Sequence, residues 1–288
     1  MLVITACTEN REPDMPVPGP GKGVPVSFTI EAEEIQPVMK ARSGEKQSGS
    51  IHITPLPQTR TNATDAEKTI NILWAYQFAG TDDSSLLLKK EQVEFTTIQP
   101  GKISVSLTPE EVTGTAYALY FVANVAEADL PQVAVGTTTL LSFRDEAFIS
   151  VSGIIQENNL PMAGWIDIPV DIPPAGLSLK RLVSKLSFKY TNSVTGFTDP
   201  VVTLVNVPRK VRIHPTTEQL EETDYTLVTA GTPVNDVYIW YIPENLGGEN
   251  TSITTNQEKG PANAPEYGTH IQIEGEYTHP VLGEVPLT

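Results

Sequence analysis

Cys7 is the residue whose chemistry is most specific in this chain, and it is the only cysteine. In Ile4-Thr5-Ala6-Cys7, a branched apolar residue stands three positions before the cysteine and two small residues precede it directly. This pattern is typical of a bacterial lipobox, in which the cysteine is acylated and becomes the new N-terminus. An ordinary apolar stretch with a free thiol is the alternative. Because a disulfide needs two cysteines, an internal disulfide scaffold is excluded.

The residues around Cys7 fit an exported, tethered protein. Residues 1–7 are interpreted as a signal-peptide remnant with a lipobox, since Leu2-Val3-Ile4 resembles the end of an apolar signal segment. The basic region and most of the apolar region are missing, so we expect a trimmed or misassigned start. Residues 8–23 are rich in proline, glycine and charge, which predicts an extended tether. Acidic residues directly behind the cysteine resemble a surface-export signal.

The sequence shows no metal site or catalytic motif. The four histidines are His52, His214, His270 and His279, and none has a metal-binding spacing with Cys, Asp or Glu. A two-histidine site assembled by the fold stays open. The motifs of serine hydrolases, zinc proteases, P-loop NTPases and dinucleotide-binding folds are absent. We therefore expect no cofactor, no metal and no enzymatic activity.

Carboxylates and tryptophans are the remaining candidates for sugar chemistry. The abundant carboxylates leave a glycosidase pair open, although Asp167 and Asp171 lie near strand ends, where carboxylates usually face solvent. Trp74 and Trp240 lie in alternating apolar runs and are expected in the core. Trp165 follows a glycine, so either a core or a ligand-stacking role stays open for it.

Composition describes an acidic globular protein. The chain has 288 residues, 39% of them hydrophobic and 19% charged, which is enough for a folded core rather than disorder. Its formal net charge of −16 disfavours nucleic acid and anionic lipid as partners, because both attract basic surfaces. No apolar run reaches the ~18–20 residues needed to cross a bilayer. Membrane attachment would therefore come from a lipid on Cys7.

Alternation of apolar and polar residues predicts short strands along most of the chain. Residues 24–32 alternate clearly, and residues 70–78, after a capped turn at residues 64–67, give the strongest strand signal. Further strands are predicted around residues 93–107, 117–121, 166–172, 182–188, 201–207, 237–241 and 271–277. Val201, Thr203, Val205 and Val207 are expected to share one strand face. The best helix candidate is 127–141, although Gly136 interrupts it.

The predicted fold class is all-β, with two tandem sandwich domains. The N-terminal domain is expected at residues 24–176 and the C-terminal domain at 177–288, with Pro173-Pro174-Ala175-Gly176 as the junction. The sequence stops where a new strand is expected to start, which would leave a sheet edge unpaired. The second domain is therefore expected to be truncated or to receive a strand from another molecule.

Several segments together resemble the fimbrillin-like adhesins of Bacteroidetes, the major and minor subunits of type V pili. Besides the lipobox and acidic tether, they are VPVSFTIEA, TRTNATDAEKTINILWAYQF, LKRLVSKLSFKY, YIWYIPENLGG and APEYGTHIQIEGEY. The resemblance covers nearly the whole chain and depends on the order of the segments more than on any one of them. It implies two tandem transthyretin-like β-sandwiches, export as a lipoprotein and assembly by β-strand exchange.

The resemblance also assigns roles to individual residues. Cys7 would be lipidated, and an arginine-directed protease would cleave at Arg60 or, second in order, at Arg42. Simple solvation is the alternative for both arginines. The strand removed by cleavage would be residues 24–32. Its inward side chains would be Val24, Val26, Phe28, Ile30 and Ala32.

The implied partners are other fimbrial subunits, outer-membrane lipid through Cys7, and a ligand on a host or bacterial surface. The implied location is the outer membrane and cell surface, within a fimbrium. A glycan-binding surface lipoprotein of a polysaccharide-uptake system is the main alternative, and exposed aromatic side chains would favour it. A lipoprotein enzyme is the third reading, which a concave carboxylate pair would favour.

Overall fold

Strands make up most of the fold, so the prediction of an all-β protein is confirmed. The structure is a computed structural model, which describes residues 25–33, 51–53, 63–151, 155–170, 176–192, 196–214, 220–229, 231, 233, 236–245, 267–279 and 283–287. Two short α-helices and three single-turn 3₁₀ helices connect strands within these ranges.

The strands in the described part of the chain follow in this order: β1 Val26–Ala32, β2 Ile51–Ile53, β3 Leu73–Phe78, β4 Leu87–Gln92, β5 Phe95–Gln99, β6 Lys102–Leu107, β7 Ala116–Ala123, β8 Phe148–Ser150, β9 Met162–Pro169, β10 Leu177–Arg181, β11 Val183–Phe188, β12 Tyr190–Asn192, β13 Phe197–Pro208, β14 Lys210–Arg212, β15 Tyr225–Thr229, β16 Tyr238–Pro243, β17 His270–His279 and β18 Gly283–Leu287.

The two α-helices begin at side-chain caps. Helix α1, Asp65–Lys68, starts at Thr64, which forms a reciprocal capping box with Glu67 as the sequence predicts. Helix α2, Leu140–Glu146, starts at Thr139, whose hydroxyl accepts a hydrogen bond from the Ser142 amide at 3.1 Å. The helix prediction for residues 127–141 is wrong. Besides the 3₁₀ turn Glu127–Asp129, that segment contains only the first two residues of α2, which begins where the predicted helix was expected to end.

The first half of the fold is a two-layered sandwich. The hydrogen-bonded order is β4-β3-β7-β9-β10-β1-β6-β5, and β10 is where the order passes from one layer to the other. Lys180 and Arg181 pair antiparallel with β9, whereas residues 177–179 pair parallel with β1. Apolar side chains of β1 and β6 pack against those of β3 and β7 in one core. This core contains Phe28, Ile30, Leu73, Ala75, Ile103, Val105, Leu107, Tyr117, Leu119, Phe121 and Ala123.

Strand β3 is buried on both faces, which explains why its sequence LWAYQF is almost continuously apolar. One face lines the sandwich core, and the other packs under α2 and the pair β8–β14. Phe143 of α2 lies over this second face, with its ring centroid 5.0 Å from that of Tyr76 and 5.2 Å from that of Phe78. The α2 segment therefore closes what would otherwise be an exposed apolar sheet.

The second half places the pair β11–β16 near a sheet ordered β15-β13-β17-β18. Its core is smaller and contains Phe188, Val202, Leu204, Val207 and Trp240. The expectation that Val201, Thr203, Val205 and Val207 share one strand face is wrong at Val207. Val202 and Leu204 point inward, whereas Val201 is 47% exposed. A register shift between Leu204 and Val207, with Asn206 at φ 56°, reverses the phase and brings Val207 inward.

Two smaller pairings connect distant parts of the sequence. Strand β8 pairs with β14, and β2 pairs antiparallel with β12 through Ile53↔Tyr190, His52↔Thr191 and Ile51↔Asn192. Strand β10 belongs to the first sheet, although the predicted domain boundary after residue 176 assigns it to the second domain. The division of the chain into domains stays a prediction.

Candidate functional site

The N-terminal strand β1 is the candidate site, and its sequence alternates between core and surface. Phe28 is 5% and Ile30 0% exposed, and both lie in the sandwich core. Val26 and Ala32 are partly buried and pack against the same core. Ser27 and Glu31 point to solvent. Val24, the fifth predicted inward residue, lies outside the described residues.

Strand β1 is an interior strand of the sheet, because both of its edges are paired. On one side it runs antiparallel to β6, from Val26↔Leu107 to Glu31↔Lys102. On the other side it runs parallel to β10, from Ile30↔Leu177 to Ala32↔Leu179. An N-terminal strand thus fills a gap between two strands that lie far apart in sequence.

The floor under β1 is apolar and close-packed. The ring of Phe28 meets that of Phe121 edge to face, at 5.6 Å between centroids and 70° between planes. Ile103 and Val105 flank β1 from β6 and are 1% and 0% exposed. Removing β1 would leave an apolar trough with an unpaired backbone edge on each side. Such a trough has the chemistry to bind an extended apolar strand, and it contains no reactive group.

The C-terminal end of β1 is fastened by further hydrogen bonds. The Ala32 amide donates to the Gly101 carbonyl at 2.8 Å, and the Glu33 amide donates to the Leu179 carbonyl at 2.7 Å. The Arg181 guanidinium donates to the Glu33 carbonyl oxygen, and Lys102 pairs with the exposed Glu31. These contacts hold the strand in register at the point where the chain leaves the groove.

Helix α1 carries a buried carboxylate, and reasoning from sequence missed it. Glu67 of α1 is 2% exposed, and its Oε1 accepts hydrogen bonds from Lys185 Nζ and the Tyr241 hydroxyl, both at 2.7 Å. Its Oε2 accepts from the Thr64 amide at 2.9 Å, and its carbonyl accepts from Arg181 Nε at 3.0 Å. Glu67 therefore connects the first sandwich to β11 and β16. The capping box was the only sequence signal at this position.

The contacts of Glu67 determine its ionisation. Burial by itself would raise the pKa of Glu67, but the hydrogen bonds from Lys185, Tyr241 and the Thr64 amide outweigh burial and lower the pKa below its usual value. Burial and the neighbouring carboxylate raise the pKa of Tyr241, so its hydroxyl stays a donor. The cluster is a structural ion pair with all three donors directed at one carboxylate.

The predicted processing and lipidation residues, Cys7, Arg42 and Arg60, lie outside the described residues. Among the histidines, His52 and His279 lie in β2 and β17, whereas exposed His270 contacts the Gly268 carbonyl at 3.0 Å. His214 packs against Trp165 at 4.5 Å between ring centroids, and burial lowers its pKa. Within the described ranges, no three His, Cys, Asp or Glu side chains group as a metal site.

The tryptophans do not form an exposed binding platform. Trp74 and Trp240 are 7% and 3% exposed, which confirms their predicted core positions. Trp165 is half-buried and stacks on Tyr120 at 5.8 Å. Asp167 is exposed, as expected for a solvated carboxylate, and Asp171 lies outside the described residues. No helix in the described part of the chain is long and apolar enough to cross a membrane.

Comparison with known proteins identifies the fold. The solved tip fimbrial protein Mfa3 from Porphyromonas gingivalis, with a C-terminal truncation, is 16% identical; the match has a TM-score of 0.50 and covers 92% of this chain and 82% of that one. The chain shares the fold of that fimbrial protein. The resemblance predicted from the sequence segments is thereby confirmed at the level of the fold.

Other comparisons are weaker. A fimbrial assembly protein from Parabacteroides distasonis matches at 15% identity and a TM-score of 0.43, covering 92% of this chain and 85% of that one. A cell adhesion protein from the same organism matches at 12% identity and a TM-score of 0.47, and the match covers 92% of this chain and 82% of that one. The profile of a domain of unknown function, DUF4906, matches residues 240–285. No curated protein matches the chain.

Proposed function

We propose that this protein is a cell-surface fimbrial subunit or adhesin that assembles by β-strand exchange. The observation that carries the proposal is β1, an N-terminal strand that fills an interior position between β6 and β10. Shared fold with a fimbrial tip protein supports the same reading. The role is structural, and the proposal includes no catalytic step.

The energetics of the β1 groove favour exchange once the strand is cut from the chain. Burial of a side chain such as Phe28 or Ile30 is worth about 1.5–3 kcal/mol each, and the two backbone edges add a full ladder of hydrogen bonds. While β1 is covalently attached, it occupies the groove at a high effective concentration. After cleavage this advantage disappears, and a strand from another copy competes for the same edges and trough.

Assembly of this kind would produce a fibre. The donor strand of one copy and the groove of the next are different surfaces, so the contact is heterologous and does not close on itself. The groove selects its donor through main-chain pairing and through pockets for alternate side chains, which Phe28 and Ile30 fill in the uncut chain.

Processing and anchoring complete the proposal. Arg60 precedes α1 in the sequence, so cleavage there would separate β1 from the rest of the fold, and Arg42 is the second candidate. Lipidation of Cys7 would hold the precursor at the outer membrane. Other subunits and a ligand on a host or bacterial surface would be its partners. We also infer that the division between the two halves follows β10, because β10 pairs with β1 and β9.

Limited digestion with an arginine-specific protease tests the proposal. The intact mass is measured before and after digestion of the wild type and of the variants Arg60→Lys and Arg42→Lys, and each sample is then examined by electron microscopy. We expect the wild type to lose the segment that ends at Arg60 and to form fibres only after cleavage. A variant that carries both substitutions should prevent both events, whereas Arg60→Lys alone should lose only the segment that ends at Arg42. Cleavage that unfolds the protein, or fibres without cleavage, would contradict the proposal.

A further inference from the structure

Residues 140–151 and 210–214, here called the cover, lie over the second face of the first sheet. They comprise α2, β8 and β14 with their flanking residues. The two parts of the cover are joined by the β8–β14 ladder and by the Ile213 amide, which donates to the Ala147 carbonyl at 3.1 Å. The cover keeps an apolar sheet surface away from water. The sheet residues beneath it that are 0% exposed are Tyr76, Phe78, Leu87 and Tyr120.

His214 lies at the boundary between the cover and the sheet. Its ring centroid is 4.5 Å from that of Trp165, with 57° between the ring planes, and 6.4 Å from that of Tyr120. Its Nδ1 is buried and, within the described part of the chain, has no hydrogen-bond partner. A neutral imidazole can carry its proton on Nε2, which leaves Nδ1 as an acceptor. A protonated imidazole would bury an Nδ1–H donor without an acceptor, which costs more than an unpaired acceptor does in a neutral ring.

The charged groups of α2 also oppose a positive charge at His214. Burial lowers the pKa of His214 and the Arg144 guanidinium lowers it further, whereas Asp145 raises it. Arg144 is fixed by two contacts, because its Nε donates to the Tyr120 hydroxyl at 2.8 Å and its Nη1 donates to Asp83 at 3.2 Å. Moving the guanidinium away from an imidazolium would break both contacts.

The remaining neighbours of His214 compensate a positive charge only weakly. Asp167 of β9 is a carboxylate that would favour an imidazolium, but it is exposed, so water and salt weaken its effect. Arg212 of β14 adds a second cation two residues before His214, over the Phe148 ring at 4.4 Å. The Trp165 ring would attract an imidazolium, but a cation–π contact at a partly exposed site is worth less than the burial of an unpaired donor costs.

We propose that His214 is a pH-sensitive switch: the cover stays closed over the sheet while the imidazole is neutral, and it opens locally when mildly acidic surroundings protonate the imidazole. Hydration of the imidazolium requires the ring to leave Trp165, which withdraws the end of the cover from the sheet and exposes Trp165 and Tyr120. The proposal is independent of strand exchange, since the cover strands β8 and β14 pair with each other and β1 pairs with β6 and β10.

The closed cover should lose stability in a defined pH range. Above the ordinary histidine pKa of 6.5, the ring is neutral in both the closed and the open cover, so its titration does not affect closure. As pH falls below 6.5, the open cover binds a proton that the closed cover does not, and the opening equilibrium increases by up to about tenfold per pH unit. The increase ends at the lowered pKa of the closed form, below which both forms are protonated.

Two measurements on the full chain test the switch. NMR titration of the imidazole protons gives the titration midpoint of His214. Hydrogen–deuterium exchange at residues 140–151 is then compared at pH 7.5 and pH 5.5 in the wild type and in His214→Phe, which keeps an aromatic ring against Trp165 but cannot be protonated. His214→Gln serves as a second variant that does not titrate, and His270→Phe removes an exposed histidine as the matched control. Residues 102–107 of β6 report on opening of the whole fold.

The ratio of exchange rates between wild type and His214→Phe, taken at one pH, cancels the intrinsic pH dependence of exchange. We expect this ratio at residues 140–151 to rise about three- to tenfold from pH 7.5 to pH 5.5, with a smaller rise at β6, and His270→Phe to behave like the wild type. The midpoint of His214 should lie below 6.5, and Asp145→Asn should lower it further.

Three results would overturn the proposal. The first is a His214 midpoint at or above 6.5, which would mean that the closed cover accepts the imidazolium. The second is an exchange ratio that is the same at both pH values, for His214→Gln as well as for His214→Phe. The third is an equal rise at residues 140–151 and at β6, which would mean that the cover opens only when the whole fold does.

Discussion

Replacement of Glu67 by Gln tests the ion pair that joins the two halves of the fold. The substitution keeps the shape of the side chain and removes its charge. A neutral amide accepts a hydrogen bond at one atom only, so it cannot accept from Lys185, Tyr241 and the Thr64 amide together. At least one of these donors would lose its partner.

The expected loss of stability follows from how deeply each partner of the ion pair is buried. Removing one partner of a fully buried ion pair costs about 3–5 kcal/mol. Here the carboxylate side chain is 2% exposed but the Lys185 side chain is 30% exposed and regains water, so we expect a loss nearer about 2 kcal/mol. This corresponds to a decrease in Tm of about 4–8 °C, which thermal unfolding followed by circular dichroism resolves.

The loss of stability caused by Glu67→Gln should depend on pH in a defined direction. Because the folded-state pKa of Glu67 is lowered from the ordinary value of 4.5, its contribution to stability is present above pH 4.5. It disappears as pH falls through the lowered folded-state pKa. The difference in Tm between wild type and Glu67→Gln should therefore be constant near neutral pH and should decrease below pH 4.5.

Controls separate this reasoning from a general effect of removing charge. Glu157 accepts a hydrogen bond from the Thr64 hydroxyl at 2.7 Å but is exposed, so Glu157→Gln should change Tm little. A double-mutant cycle with Lys185→Met should give a coupling free energy of about 1–3 kcal/mol. Equal effects of Glu67→Gln and Glu157→Gln, or no coupling to Lys185, would refute the argument.

Three further substitutions test the packing around the site. Ile30→Ala should lower the free energy of unfolding by about 2–5 kcal/mol in urea unfolding, because Ile30 is 0% exposed. If strands exchange as proposed, the same substitution should also speed release of the cleaved strand, as measured by native mass spectrometry. Gly164→Ala should lower Tm because its Cβ would lie 2.6 Å from the Ser178 carbonyl oxygen, whereas Gly231→Ala meets nothing within 4 Å and should not. Asn124→Ala should cost about 1–3 kcal/mol in the same urea assay, since its buried side chain makes three hydrogen bonds to backbone groups.

Local patterns in the sequence predicted strand positions well and strand faces less well. The alternation over residues 24–32 predicts the inward residues Phe28 and Ile30, because a regular strand alternates strictly. In β13 the same rule fails at Val207, which it places on the same face as Val201. A bulge near Asn206 adds one residue to the strand, and side-chain alternation changes phase there. A pattern read forward from either end therefore fails beyond the bulge.

Helix α2 and the buried Glu67 were difficult to predict from the sequence for a different reason. Helix α2 is short and packs its apolar side, including Phe143, onto β3, so tertiary contacts determine its position more than propensity does. Glu67 resembles any solvated helix-capping residue in the sequence. Its burial depends on Lys185 and Tyr241, which approach it from strands that lie far along the chain. No pattern near residue 67 specifies either partner.

The same distinction between local and distant information applies to the candidate site. Alternation along β1 describes a strand with one apolar face, and such a strand fits at a sheet edge or in its interior. What makes the site suited to exchange is that β6 and β10 leave a gap between them, and that gap exists only in the folded chain. A strand at an edge would leave one unpaired edge when it is removed, whereas an interior strand leaves two edges and an apolar floor. The interior position of β1 is therefore the feature that links this fold to assembly, and it was accessible only from the pairing of strands distant in sequence.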